Sequence, residues 1–193
     1  WPYSRYPERQ NRRRHKSWQR SAKRRRHGLV CDAVVLTYKK VAPLYKKINA
    51  ESRELNTWVK KESSRLLKAG KLVGIVGGEH SAPLGFMAAL GERQAKFSIL
   101  HIDAHADYRI AFEGFEFSHA SIQYNAGKIK QVERQVLVGI RDYSHQEVEL
   151  IKKSRGRVVA FPDRGLKRQA YAGITWAKQC AAIINPLGKN VYI

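Results

Sequence analysis

The sequence predicts an α/β fold: a mainly parallel sheet covered by helices on both faces. Two observations carry this. Short continuous apolar runs alternate with segments of helical period, and two of those runs end directly in clusters of carboxylates and imidazoles. A strand buried on both faces reads as an unbroken apolar run, and a helix after each strand gives parallel crossovers. In such sheets ligands bind beyond the carboxyl ends of the strands.

The elements follow in order. Cys31 to Tyr45 reads as a helix or a mixed segment, with Pro43 against a regular helix. From Glu51 to Ala69, Leu55, Trp58, Val59, Leu66 and Leu67 recur at helical spacing, and Gly70 supplies the stop. Leu72 to Val76 then reads as a strand. Pro83 to Leu90 is a proline-opened helix, Phe97 to Ile102 a strand, and Ser118 to Ala126 a short helix stopped by Gly127. Gln135 to Ile140 is a strand, His145 to Lys153 a charged helix, and Arg157 to Phe161 a strand. Thr175 to Ile184 is a helix closed by Asn185-Pro186, and Asn190 to Ile193 a last strand.

With 193 residues and 43% apolar content, the chain can bury a core as one domain over residues 29–193, preceded by an arm at residues 1–28. No apolar run approaches the roughly 20 residues of a membrane-spanning helix, and no secretory leader opens the sequence. Cys31 and Cys180 are too few for a disulfide framework, which fits free thiols in a reducing, cytoplasmic setting. The 37 Lys and Arg against 16 Asp and Glu give a net charge of +21. The excess gathers in the arm, where Arg5 to Arg26 hold eleven basic residues and one acid, with Trp1, Tyr3, Tyr6 and Trp18 around them. Three readings stay open: a nucleic-acid-binding segment that tracks phosphates and stacks on bases, a solvated disordered arm, or an altered start outside the functional design.

The candidate site lies at two strand ends. After Phe97–Leu100 comes His101-Ile102-Asp103-Ala104-His105-Ala106-Asp107, and after Leu72–Val76 comes Gly77-Gly78-Glu79-His80-Ser81. If strand geometry persists, Asp103, His105 and Asp107 point the same way and reach one cavity. Imidazole nitrogens with several carboxylate oxygens suit a divalent ion of intermediate hardness, manganese over zinc. The plainer alternative makes Asp103 and Asp107 helix caps with His105 packed locally, and His80 a hydrogen-bonded loop histidine.

These motifs, together with Phe117-Ser118-His119-Ala120-Ser121, resemble the signatures of the ureohydrolases, the arginase, agmatinase and formimidoylglutamase group. The resemblance runs from about Glu54 to Ile193. Tyr108-Arg109, Glu113-Gly114-Phe115 and Val138 to Asp142 look closest to bacterial agmatinase-like members. It implies a three-layer α/β/α fold, a centre of two Mn(II) ions, and hydrolysis of a small cationic guanidino substrate: agmatine to putrescine and urea. His80 and Asp107 would ligate one ion, His105 the other, and Asp103 both, so that a shared water becomes the nucleophile. His119 would move a proton or orient substrate, against the alternative of a surface histidine. Glu79, where many members carry Asp, would hold His80 in one tautomer. Glu113 and Glu116 read as solvated loop acids or as partners for a cationic substrate. The same resemblance implies a homo-oligomer, a trimer or hexamer.

The family places two more aspartate ligands after a strand matching Asn190 to Ile193, and an early strand where the arm stands. The fold is therefore expected to be incomplete at both ends, and this 193-residue chain to release urea slowly or not at all. A catalytically silent fragment or subunit completed by a partner chain, and a nucleic-acid-binding module on the arm, are the competing readings.

Overall fold

The computed structural model describes the backbone of residues 29–193 and the side chains from residue 41 onward. The basic arm lies outside the described residues. Contacts divide the chain between Lys46 and Lys47, and the sheet and the site belong to residues 47–193.

Helix α1, Leu29–Lys68, joins the two helical segments read from the sequence and carries Pro43 inside it. Its end is a Schellman turn: Gly70 sits at φ 71°, its N–H reaches the Leu67 carbonyl at 3.1 Å, and the Lys71 N–H reaches Leu66 at 3.1 Å. After α2 (Leu84–Arg93), β1 (Phe97–Ile102) and a 3-10 turn (His119–Ser121) come α3 (Ile122–Ala126), β2 (Val132–Ile140) and α4 (His145–Lys153). The chain closes with β3 (Val158–Pro162), α5 (Asp163–Tyr171), α6 (Trp176–Ile184) and β4 (Val191–Tyr192).

Among the described residues the four strands form one parallel sheet in the order β3-β2-β1-β4. Side-chain alternation divides it cleanly. Phe97 and Ile99 of β1 and Val132 of β2 pack with Met87 of α2 and with Ile122 and Ala126 of α3. Leu137 of β2 and Val158 of β3 pack with Ile151 of α4 on that same face. Leu100, Val136, Val138 and Phe161 point the other way, onto Leu166 of α5 and Ile183 of α6. The result is three layers, α/β/α. Gly139, at φ 83°, bulges β2 where its register against β3 shifts, and its backbone passes close to the Asp103 carbonyl.

One expected strand is absent. Leu72 to Val76 has no regular structure, and Leu72 and Val76 are 103% and 102% exposed. An apolar run supplies the side chains of a strand but not its hydrogen-bonding partner. On this side the sheet ends at the two-residue β4, and a cavity of about 540 Å³ separates residues 72–75 from Val191–Ile193. Helix α5 was not expected, because its sequence carries few apolar residues; Leu166 alone seats it on the core.

Helices α1 and α2 meet at Gly85, where a Cβ would stand 2.3 Å from the Asn56 carbonyl oxygen and 2.8 Å from the Lys60 nitrogen. Gly85→Ala is expected to push these helices apart and cost about 1–3 kcal/mol of stability, read as a lower urea midpoint at unchanged slope.

Candidate metal centre

The backbone of the Asp103–Asp107 loop is fastened to the end of β2. The Asp103 N–H donates to the Val138 carbonyl at 3.0 Å, the Arg141 and Asp142 N–H groups donate to Ala104 at 2.8 and 3.0 Å, and the Ala106 N–H donates to Asp142 at 3.3 Å. His105 and Asp142 thereby extend the parallel pairing past the Gly139 bulge.

This brings the four predicted ligands together. His80 Nδ1 lies 2.7 Å from Asp107 Oδ2 and 3.4 Å from Asp103 Oδ2. The other Asp103 oxygen, Oδ1, lies 3.2 Å from His105 Nδ1 and accepts the His105 backbone N–H at 2.8 Å. Asp103 therefore stands between two imidazoles, one carboxylate oxygen toward each. Neither aspartate serves as a side-chain helix cap: α3 is met by the Asp107 carbonyl, which accepts from the Gln123 N–H at 3.0 Å, while the Asp107 carboxylate turns to His80. Asp107 is 5% exposed and sits at φ 50°, a left-handed conformation that Asp tolerates better than most residues.

His80 comes from the turn that leads into α2. Gly77 is required there, since a Cβ would fall 2.4 Å from that of Ala82. Glu79 turns back to Ser81, accepting from its N–H at 3.1 Å and from its hydroxyl, and lies 3.6 Å from His119 Nδ1. The ring partner of His80 is thus Asp107, and Glu79 stands beside His119. His119 is half-exposed, edge-on to Phe112, and shares a cavity of about 240 Å³ with His105, Asp107, Arg109 and Asp142. A second cavity of about 460 Å³ has Glu79, His80, His101 and Asp103 among its lining residues. Glu116 is engaged elsewhere, paired with Arg53 at 2.6 Å.

Two residues at the site escaped the sequence reading. Glu147, buried in the first turn of α4, accepts from the Tyr108 N–H at 3.0 Å and from the Ser144 N–H and hydroxyl at 2.7 and 2.8 Å. The Ser144-x-x-Glu147 spacing is a capping box and was readable as one. His101, 4% exposed, stacks on the His80 ring at 5.1 Å. Its donor atoms group with those of His80 and Asp103 within 4.8 Å, but both ring nitrogens are taken, by the His105 carbonyl at 3.1 Å and by Gln123 at 2.9 Å.

The electrostatics suit a cation. The hydrogen bond to Asp107 is the main force raising the His80 pKa above its ordinary value, against the opposing effect of burial. Burial opposes ionisation of Asp103, yet the His105 amide and the nearby imidazoles outweigh it and the carboxyl is held below its usual range. Imidazole and carboxylate donors gathered at these distances are of the chemical type that suits a divalent ion.

In the metal-free chain these shifts set a pH window. His80, raised, stabilises the fold fully below its ordinary value of 6.5, and that contribution fades as pH climbs through the folded value. Asp103, lowered, contributes above its ordinary value of 3.8 and fades as pH falls through the folded one. The Tm in chelator-treated buffer is expected to be highest between these limits and to decline above neutral pH. The alkaline component of that decline should vanish in His80→Gln.

The Arginase family model matches residues 9–193. N(1)-aminopropylagmatine ureohydrolase of Thermus thermophilus is 33% identical over 142 residues, 74% of this chain and 45% of that protein. The agmatine ureohydrolase structure of Thermoplasma volcanium superposes with a TM-score of 0.61 at 24% identity, over 74% of this chain and 45% of that one. The arginase structure from Medicago truncatula gives 0.56 at 30% identity, over 61% and 37%. The chain spans about half the length of the relatives it matches.

Proposed function

Because the chain belongs to the arginase family, we propose that this site serves the manganese-dependent hydrolysis of a guanidino group with release of urea, on a substrate of the agmatine type. The observation that carries the reading is Asp103, whose two oxygens face His80 and His105 at 3.4 and 3.2 Å. His80, Asp103, His105 and Asp107 would be the residues that hold the metal, Asp103 reaching toward both imidazoles. When bound, the metal supplies a water acidic enough to act as a nucleophile near neutral pH.

The remaining work falls to side chains. A guanidinium is cationic and planar, and the carboxylate of Asp142, 3.8 Å from His105 Nε2 on the wall of the smaller cavity, carries the opposite charge. Arg109, the cation on the cavity wall, is drawn aside toward Glu147 at 3.7 Å and over the Phe112 ring at 5.2 Å. His119 shares the smaller cavity with His105 and Asp107, its Nδ1 toward Glu79, and its Nε2 would hold a proton and give it to the leaving amine as the C–N bond breaks. The aminopropylagmatine ureohydrolase among the relatives supports a decarboxylated guanidino amine over an amino acid as substrate.

Manganese uptake tests this. After Mn(II) loading and desalting, the 193-residue chain is expected to retain at least one ion, lost in Asp103→Ala and kept in His119→Ala. Agmatine should perturb the electron paramagnetic resonance signal of the bound ion at concentrations where arginine leaves it unchanged, and His119→Ala should weaken that response. No retained manganese in the wild type overturns the reading.

A further inference from the structure

Beneath the site runs a buried chain of hydrogen bonds whose direction is fixed at both ends. The Gln135 amide donates through Nε2 to the Gln123 backbone carbonyl and to Gln123 Oε1, both at 2.8 Å. A carbonyl only accepts, so the Gln135 oxygen must be the group that takes the Tyr108 hydroxyl proton at 3.1 Å. With its own oxygen occupied, Gln123 turns its Nε2 to His101 Nδ1 at 2.9 Å, which must then accept. His101 therefore carries its proton on Nε2 and donates it to the His105 carbonyl at 3.1 Å. Every bond runs one way: Tyr108, Gln135, Gln123, His101, His105.

The two ends of this chain are the two ends of the His105–Tyr108 loop. Tyr108 directly follows Asp107, and the His105 carbonyl directly precedes Ala106. His101, Gln123 and Gln135 are each nearly or fully buried, so water does not compete for these bonds. The His101 ring also lies flat beneath His80, 13° from parallel, and gives that imidazole a floor.

We propose that His101, its tautomer fixed by Gln123 and Gln135, is a positioning residue of the metal centre. As a neutral imidazole of fixed tautomer it holds the His105 carbonyl and the plane of the His80 ring, and so sets the separation of the ligands on either side of Asp103. It is not itself a ligand, since neither nitrogen is free. This rests on the metal-site reading above, and it assigns a part in that site to four residues outside the ligand set.

The test pairs a metal-free readout with a metal-dependent one. In the ¹⁵N-labelled apo chain, long-range proton–nitrogen correlation is expected to show His101 protonated on Nε2. In Gln123→Met the wild-type His101 nitrogen shifts should be lost and the Ala106 and Asp107 amides should exchange faster. Mn(II) affinity should drop about 10- to 100-fold in Gln123→Met and by less, in the same direction, in Tyr108→Phe, which leaves the packing intact if Gln123→Met does not fold. A proton on Nδ1, or manganese affinity unchanged in both variants, overturns the proposal while leaving the metal site standing. If the wild type binds no manganese yet Gln123→Met still frees the loop amides, the metal reading fails and the positioning of the loop by His101 holds.

Discussion

The site depends on β1 and β2 remaining paired after their strands formally end. Asp103, Ala104 and Ala106 keep exchanging backbone hydrogen bonds with Val138, Arg141 and Asp142, across the place where Gly139 bulges β2. A side chain at Gly139 would have to adopt φ 83° beside the Asp103 carbonyl, so the bulge and the loop are one feature. Because the sheet is parallel, both strand ends emerge at the same edge, and residues from two separate crossovers reach one place. The turn before α2 supplies His80 at that edge, and the first turn of α4 supplies Glu147.

Charge is arranged around this backbone with few unsatisfied groups. Asp103 and Asp107, both removed in part from water, would repel each other if nothing lay between them. His80 does, and in the apo chain its raised pKa expresses that demand for a positive charge. His101 answers the opposite requirement. Burial lowers its pKa, and Gln123 donates to one of its nitrogens. One histidine is placed where a cation is wanted and its stacked neighbour where it is not.

Much of this was legible in the sequence because spacing encodes it. The run Phe97 to Ile102 and the helix His145 to Lys153 fall where their patterns put them, and Asp103-x-His105-x-Asp107 is readable because alternate residues leaving a strand share a side. Leu72 to Val76 was misread since an apolar run does not reveal whether a partner strand adjoins it. The Gln123–Gln135–His101 chain was hidden for a different reason. Its members lie on α3, β2 and β1, and a buried glutamine looks like any surface glutamine until the fold turns it inward. Glu147 was within reach, as half of a capping box, but a local pattern could name only its local bond to Ser144. Its second bond, to the Tyr108 N–H, is tertiary.

That second bond bears on how Asp107 keeps its conformation. A non-glycine residue at φ 50° carries a backbone cost of order 1 kcal/mol or more, and left alone the loop would relax toward an extended path that swings the carboxylate away from His80. Both flanks forbid it. The Asp107 carbonyl is held by the Gln123 and Tyr124 N–H groups at the start of α3, and the next peptide N–H, of Tyr108, is held by Glu147 at the start of α4. Two helix N-termini, each with backbone or capping groups to satisfy, therefore clamp a single strained residue between them. The strain is localised at the one aspartate whose buried oxygen meets His80 at 2.7 Å. Substituting a residue less tolerant of the left-handed region would disturb the ligand geometry through the backbone, even with a carboxylate retained.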